Sequence, residues 1–193
     1  MARIGMKYLV FAPISAETEA SGVTTLTYGT GVKADHARRG AITYNWDEAS
    51  LYGDDKLAEY LKSATSADVE IETTELDTAV AVLLGLEKSK GSDVYTLATE
   101  SAVNVGFGFI QVNIVNGVKS YRAFWFHKVT FSPDNEESNT KEETIDWGTP
   151  TITGKVWPVV LNATLGAELR TYKDFETEAA AVSYLNGLAG ISG

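Results

Sequence analysis

The chain of 193 residues carries 16 Lys and Arg against 26 Asp and Glu, a formal charge of −10, and 44% of it is hydrophobic. At ~100 to 200 residues per domain that makes one domain, or one domain with an attached arm, with enough apolar content for a core, so disorder of the whole chain is excluded. The charge argues against tight binding to a phosphate backbone, and the lack of cysteine removes disulfides, thiolate nucleophiles, zinc ribbons and iron–sulfur centres.

His36 and His127 are too far apart in sequence for histidine metal spacing, so no metal and no cofactor is expected. No window approaches the ~18 to 20 apolar residues of a spanning helix, and no membrane role is expected. Arg3 and Lys7 before residues 8–14 loosely mimic an export signal, but only 8–12 run uninterrupted before Pro13. That is shorter than the ~7 to 15 residues such a signal needs, so a first strand over 6–12, stopped by Pro13, and synthesis in a cytoplasm are the expectations.

Residues 15–31 are small and polar without helical period, and read as a long loop. From 41 to 47 the chain alternates, with Ile42, Tyr44 and Trp46 on one face and Thr43, Asn45 and Asp47 on the other. A second alternating run sets Val69 and Ile71 against Asp68, Glu70, Glu72 and Thr74, an acidic row along one strand face. The segment 48–66 between them has room for a helical turn, and reads as a long projection joining two strands.

Asp77 fits the N-cap of a short helix over 78–84 that ends at Gly85. Runs at 103–115 and 118–131 flank Asn116-Gly117, the strongest hairpin signal in the chain, and Tyr121, Phe124, Trp125, Phe126 and Phe131 on the second arm suit a core. Six acids and one base between 134 and 146 indicate an exposed loop. β character resumes at 144–160, where Pro150 and Pro158 restrict it to an edge position or to two shorter strands. Phe175, Ala179, Val182 and Leu185 recur at helical spacing, with Asp174 as cap and Asn186-Gly187 as stop, which gives a C-terminal amphipathic helix packed on the sheet. About seven strands and two short helices make a mainly β or α+β domain.

Catalytic patterns fail one by one. Gly148 to Lys155 has five residues between its glycines and Val156 where a phosphate loop needs Ser or Thr; Gly106-Phe107-Gly108 lacks a third glycine and reads as close backbone approach inside a strand. No nucleophile elbow surrounds any serine. His127, between Phe126 and Lys128, reads as structural or surface. Same-face carboxylates such as Asp68, Glu70 and Glu72 lie ~6.5 to 7 Å apart on a flat strand surface, with nothing to separate their pKa values, so no enzyme activity is expected. Asn162-Ala163-Thr164 fits a glycosylation sequon, a pattern frequent by chance. His36, Arg38 and Arg39 form a basic cluster that reads either as a solvated loop or as an inter-subunit contact with acids of another copy.

The opening 2–13 stretch, the 49–55 loop, Val69-Glu70-Ile71-Glu72 leading to Leu83-Leu84-Gly85, and then residues 121–131 and 138–154 follow one another along the chain. In this order they resemble the major tail protein, or tail tube protein, of long non-contractile-tailed bacteriophages, and the likeness spans 1 to about 160. Residues 161–193, with the amphipathic helix, lie outside it and read as a C-terminal arm packed on the same domain. The resemblance implies a β-sandwich subunit of hexameric rings that stack into a virion tube conducting DNA, with a tape measure protein and tail-end proteins as partners. It makes Thr43, Asn45, Asp47, Asp68, Glu70 and Glu72 lumen-facing and Leu51, Tyr52, Gly53, Asp54 and Asp55 the inter-ring loop. In a ring of six, the −10 of each copy would bring about −60 to walls that repel phosphates. The alternative is a β-sandwich carbohydrate-binding module that stacks sugars on Tyr44, Trp46, Tyr52 or Trp147.

Overall fold

Alternating side chains put most of the chain into strands, and long-range pairing decides where each one lies. A computed structural model describes residues 2–35, 37–53, 56–96, 103–115, 117–133 and 150–192. In chain order the elements are β1 (Ala2–Ala20), β2 (Val23–Tyr28), β3 (Val32–Ala34), β4 (Ala37–Gly53), β5 (Lys56–Thr73), α1 (Thr78–Leu83), β6 (Lys88–Lys90) and β7 (Asp93–Tyr95). They continue with β8 (Asn104–Val115), β9 (Val118–Pro133), β10 (Thr151–Val156), β11 (Val159–Asn162), β12 (Gly166–Glu168), β13 (Arg170–Phe175) and α2 (Glu178–Ala189). The protein is mainly β. The main sheet runs β2-β1-β8-β9-β10-β5-β4, with β3 on β1 and β13 on β9. All its pairings are antiparallel.

β9 organises this sheet. One edge takes β8, while the other takes β13 along residues 121–126 and β10 along residues 129–133. The changeover is a bulge: between Phe107↔Phe126 and Val105↔Val129, His127 and Lys128 stand opposite the single residue Gly106. Leu9 and Phe11 of β1, Phe107 and Phe109 of β8, Phe126 and Phe131 of β9, Val69 and Ile71 of β5 and Val80 and Leu84 of α1 share the larger core. Residues from distant strands meet there, so the sheet curls, and a Cβ on Gly40 of β4 would lie 2.6 Å from Sδ of Met6 on β1. On the opposite face Val10, Ile110, Ala123 and Trp125 pack against Ala181, Leu185 and Ala189 of α2. Trp125 fits because its neighbour is glycine: a Cβ on Gly106 would sit 2.4 Å from its Cζ2. The close approach expected of Gly106 and Gly108 is therefore made by an indole.

The hairpin of β8 and β9 closes at Val115↔Val118, with Gly117 at φ +80°; Asn116 lies outside the described residues. Phe124, Trp125, Phe126 and Phe131 are buried. α1 has the expected cap, the Asp77 side chain accepting from the Ala79 N–H at 2.9 Å, and Gly85 follows at φ +77°.

Several sequence expectations are corrected. Residues 15–31 are not a long loop: β1 continues past Pro13, which marks a change of partner from β8 to β2, and turns at Ser21-Gly22, both at positive φ. Residues 48–66 hold no helical turn among the described residues but extend β4 and β5, paired as far as Gly53↔Lys56. Of the two readings for 144–160, the described part follows the second: two short strands, β10 and β11, separated at Pro158, with β10 inside the sheet between β9 and β5 and not at an edge. The last helix starts after Thr177, whose hydroxyl accepts from the Ala180 N–H, and passes Asn186-Gly187 to end at Gly190 in the left-handed region. Asp174 and Phe175 belong to β13, and Ala179 is exposed. Thirteen strands are present among the described residues where about seven were expected, because several have only three or four residues. The acidic segment 134–146 lies outside the described residues.

Candidate functional site

The β4–β5 register decides which predicted side chains share a face. Thr43 pairs with Asp68, Ala41 with Glu70, Arg39 with Glu72 and Asn45 with Ser66. Directly opposed residues project to the same side, so Thr43, Asn45, Asp68, Glu70 and Glu72 lie together, away from the core that takes Ala67, Val69 and Ile71. Asn45 binds the row, its Nδ2 donating to Asp68 Oδ2 at 2.8 Å and to Ser66 Oγ at 3.1 Å. Beyond it β5 carries one extra residue, Thr65, so that Asp47 meets Ser63 and remains exposed on the same side.

The row is not flanked by acids alone. Arg39 Nη1 lies 2.9 Å from Glu70 Oε1, and Arg38 Nη1 lies 3.1 Å from Glu72 Oε1. On the other flank β10 sets Lys155 opposite Asp68 and exposed Thr153 opposite Glu70. The face is therefore hydroxyl-rich, with three cations beside its four acids. Two members of the predicted inter-subunit cluster, Arg38 and Arg39, are engaged inside their own chain; His36 lies outside the described residues.

The second component is the outer part of the same hairpin. From Trp46↔Ala64 to Gly53↔Lys56 each strand of the pair carries about eight residues, a ribbon about 25 Å long at ~3.3 Å per residue. The side chains of 47–50 and 61–63 are exposed. The ribbon has its own side-chain contacts: Lys62 lies 2.5 Å from Glu48 Oε1 and 5.2 Å from the Trp46 ring centre. Trp46 remains 51% exposed and Leu61 68%. Leu51, Tyr52 and Gly53 are placed at the outer end by backbone pairing; Asp54 and Asp55 lie outside the described residues. No motif marks Trp46 and Lys62; only their position beyond the end of the core sets them apart.

Of the aromatic residues of the sugar-stacking alternative, Tyr44 and Trp46 are not coplanar, and the side chain of Tyr52 lies outside what the structure describes. Tyr44 and Trp46 have ring centres 6.2 Å apart with planes at 43°, and Trp147 lies outside the described residues. His127 is buried beside the bulge; its Nε2 is 2.9 Å from Thr171 Oγ1 and 4.0 Å from Glu168 Oε2, and burial lowers its pKa to about 4, which leaves it neutral near pH 7. Asp174 receives two hydrogen bonds of 2.7 Å from Arg122, which hold its pKa below the usual carboxylate value. Among the described residues no three metal-ligating side chains converge, and no helix is long and apolar enough to cross a membrane. Compared with protein-family models and with curated proteins, the chain finds no match.

Proposed function

We propose that the protein is a structural subunit that self-assembles into stacked rings, and that these rings form the tail tube of a long non-contractile-tailed bacteriophage. The ribbon of β4 and β5 carries this reading. A two-stranded ribbon standing alone in water is marginally stable, and its partly apolar surface gains most by lying on another protein. Its outer edge is also open: among the described residues β4 pairs with β5 alone, and such an edge normally invites aggregation unless a neighbour completes it. A closed ring of identical copies supplies that neighbour.

In this arrangement the face bearing Thr43, Asn45, Asp47, Asp68, Glu70 and Glu72 lines the channel. Hydroxyls, paired charges and a net acidic chain give DNA little to bind, so it slides and conduction is passive. Leu51 to Asp55 reach the next ring, and the sandwich architecture of the tail-tube family is the corresponding fold. Tape measure and tail-end proteins are the further partners, and the virion is the site of action.

Negative-stain microscopy of the purified chain tests the reading. Rings or tubes are expected, and deletion of residues 51–61 should leave a folded subunit that no longer stacks. A chain that stays monomeric at high concentration and binds glycans would replace this reading with the carbohydrate-binding module.

A further inference from the structure

Of the arginines whose side chains are described, Arg170 alone stands without an acid. Arg38 lies against Glu72, Arg39 against Glu70 and Arg122 against Asp174. Arg170 makes neither an ion pair nor a side-chain hydrogen bond among the described residues. The acids nearest to it along the chain are engaged elsewhere, Glu168 lying 4.0 Å from His127 Nε2 and Asp174 accepting two hydrogen bonds from Arg122.

Its guanidinium rests on aromatic rings instead. Cζ is 4.7 Å from the ring centre of Phe124, 5.4 Å from that of Tyr44 and 6.0 Å from that of Phe126. Arg170 is partly buried and opens β13, which pairs with β9 alone among the described residues, so the cation bridges to Tyr44 of β4 beside an uncovered strand border. The ring contacts continue on both sides, with Trp46 6.2 Å beyond Tyr44 and Tyr172 5.8 Å beyond Phe124. Both end rings are about half exposed.

Tyr44 adds a second unmet demand. Its hydroxyl is buried and has no hydrogen-bond partner, whereas buried polar atoms are nearly always paired. A guanidinium stacked on rings keeps its N–H donors at the rim, where two of them match the two oxygens of a carboxylate. The apolar floor and the net charge of −10 disfavour an anion of higher charge.

We infer that Arg170 and Tyr44 form a binding site for a carboxylate on an apolar stem. The guanidinium pairs with both oxygens, the Tyr44 hydroxyl donates to one of them, and the stem lies against the flanking rings. Two sources carry this group: a free organic acid and an acidic side chain of a second copy.

Nuclear magnetic resonance of the arginine Nε–H groups, on the full chain at low concentration and constant ionic strength, tests the site with benzoate, acetate and chloride. One signal, missing from Arg170→Lys, should move saturably with benzoate, more weakly with acetate and not with chloride. Arg170→Lys keeps the charge but loses the fork, and should bind benzoate about tenfold more weakly or worse. Tyr44→Phe keeps the ring and removes the unpaired hydroxyl, so it should bind about three- to tenfold more weakly with no loss of melting temperature; should Arg170→Lys fail to fold, this variant carries the test. The absence of a saturable shift, the same shift with every salt, or undiminished binding by these variants would overturn the site. Assembly separates the sources. If saturating benzoate and Arg170→Lys each raise the concentration at which rings or tubes form, the occupant is an acid of a second copy; if neither does, it is a free acid. A chain that never assembles removes the second-copy source and the tube reading together, and leaves the site resting on benzoate binding.

Discussion

His127 makes the stability of this fold sensitive to mild acid. The imidazole is 6% exposed at the bulge of β9, and desolvation holds its pKa near 4 against an ordinary 6.5. The neutral form is thus preferred in the folded state, while the unfolded chain takes up a proton as pH falls through 6.5. The stabilisation is complete above pH 6.5 and is lost progressively down to about pH 4. One pKa unit corresponds to ~1.36 kcal/mol, so the loss is about 2 kcal/mol between pH 7.5 and 5 and up to about 3 kcal/mol at pH 4. Urea unfolding of wild type and His127→Gln across this range, at low protein concentration, measures it. The variant keeps a polar partner for Thr171 but does not titrate, so its disadvantage at pH 7.5, about 1 to 2 kcal/mol, should shrink toward zero by pH 5. With only two histidines in the chain, NMR titration reads the pKa directly. Parallel pH profiles for the two proteins, or a titration near 6.5, would refute this.

Gly106→Ala should cost about 1 to 3 kcal/mol or more, because the new Cβ collides with Trp125 and Tyr28; a melting temperature equal to wild type would show that the indole can yield. Leu185→Ala, at a fully buried position under the sheet, should cost about 2 to 5 kcal/mol in a single unfolding transition, and a separate early transition for α2 would contradict its packing as part of this core. Asp68→Lys, Glu70→Lys and Glu72→Lys combined should permit ring formation but impair DNA ejection; normal infectivity of virions carrying them would count against a channel position.

Local chemistry made parts of this structure legible. Asn116-Gly117 set the β8–β9 hairpin, Asp77 and Gly85 bounded α1, and the alternation around Val69 and Ile71 separated core from solvent. What the sequence hid was pairing. Polar Thr- and Ser-rich residues 14–28 have no apolar period to announce a strand, yet they pair because β1 brings a ready edge past Pro13. Arg38 and Arg39 carry no mark of their partners, since Glu72 and Glu70 lie more than thirty residues away in sequence and only the register joins them. Asp174 has the residue type of a helix cap, but its contact with Arg122 on β9 holds it in a strand and shifts the helix start to Thr177. The candidate face was legible in outline from Asp68, Glu70 and Glu72 and from the alternation of Ile42, Tyr44 and Trp46 with Thr43, Asn45 and Asp47. Its flanking cations were not, because they arise from cross-strand neighbours.

The division of one edge of β9 between two partners governs the order of events during synthesis. Until residues 170–175 emerge from the ribosome, the stretch 121–126 has an open border beside Phe124 and Phe126, against which a stray strand could zip. β13 fills that border and limits how far β10 can run along β9. A truncated chain lacking β13 is therefore expected to clump through that border.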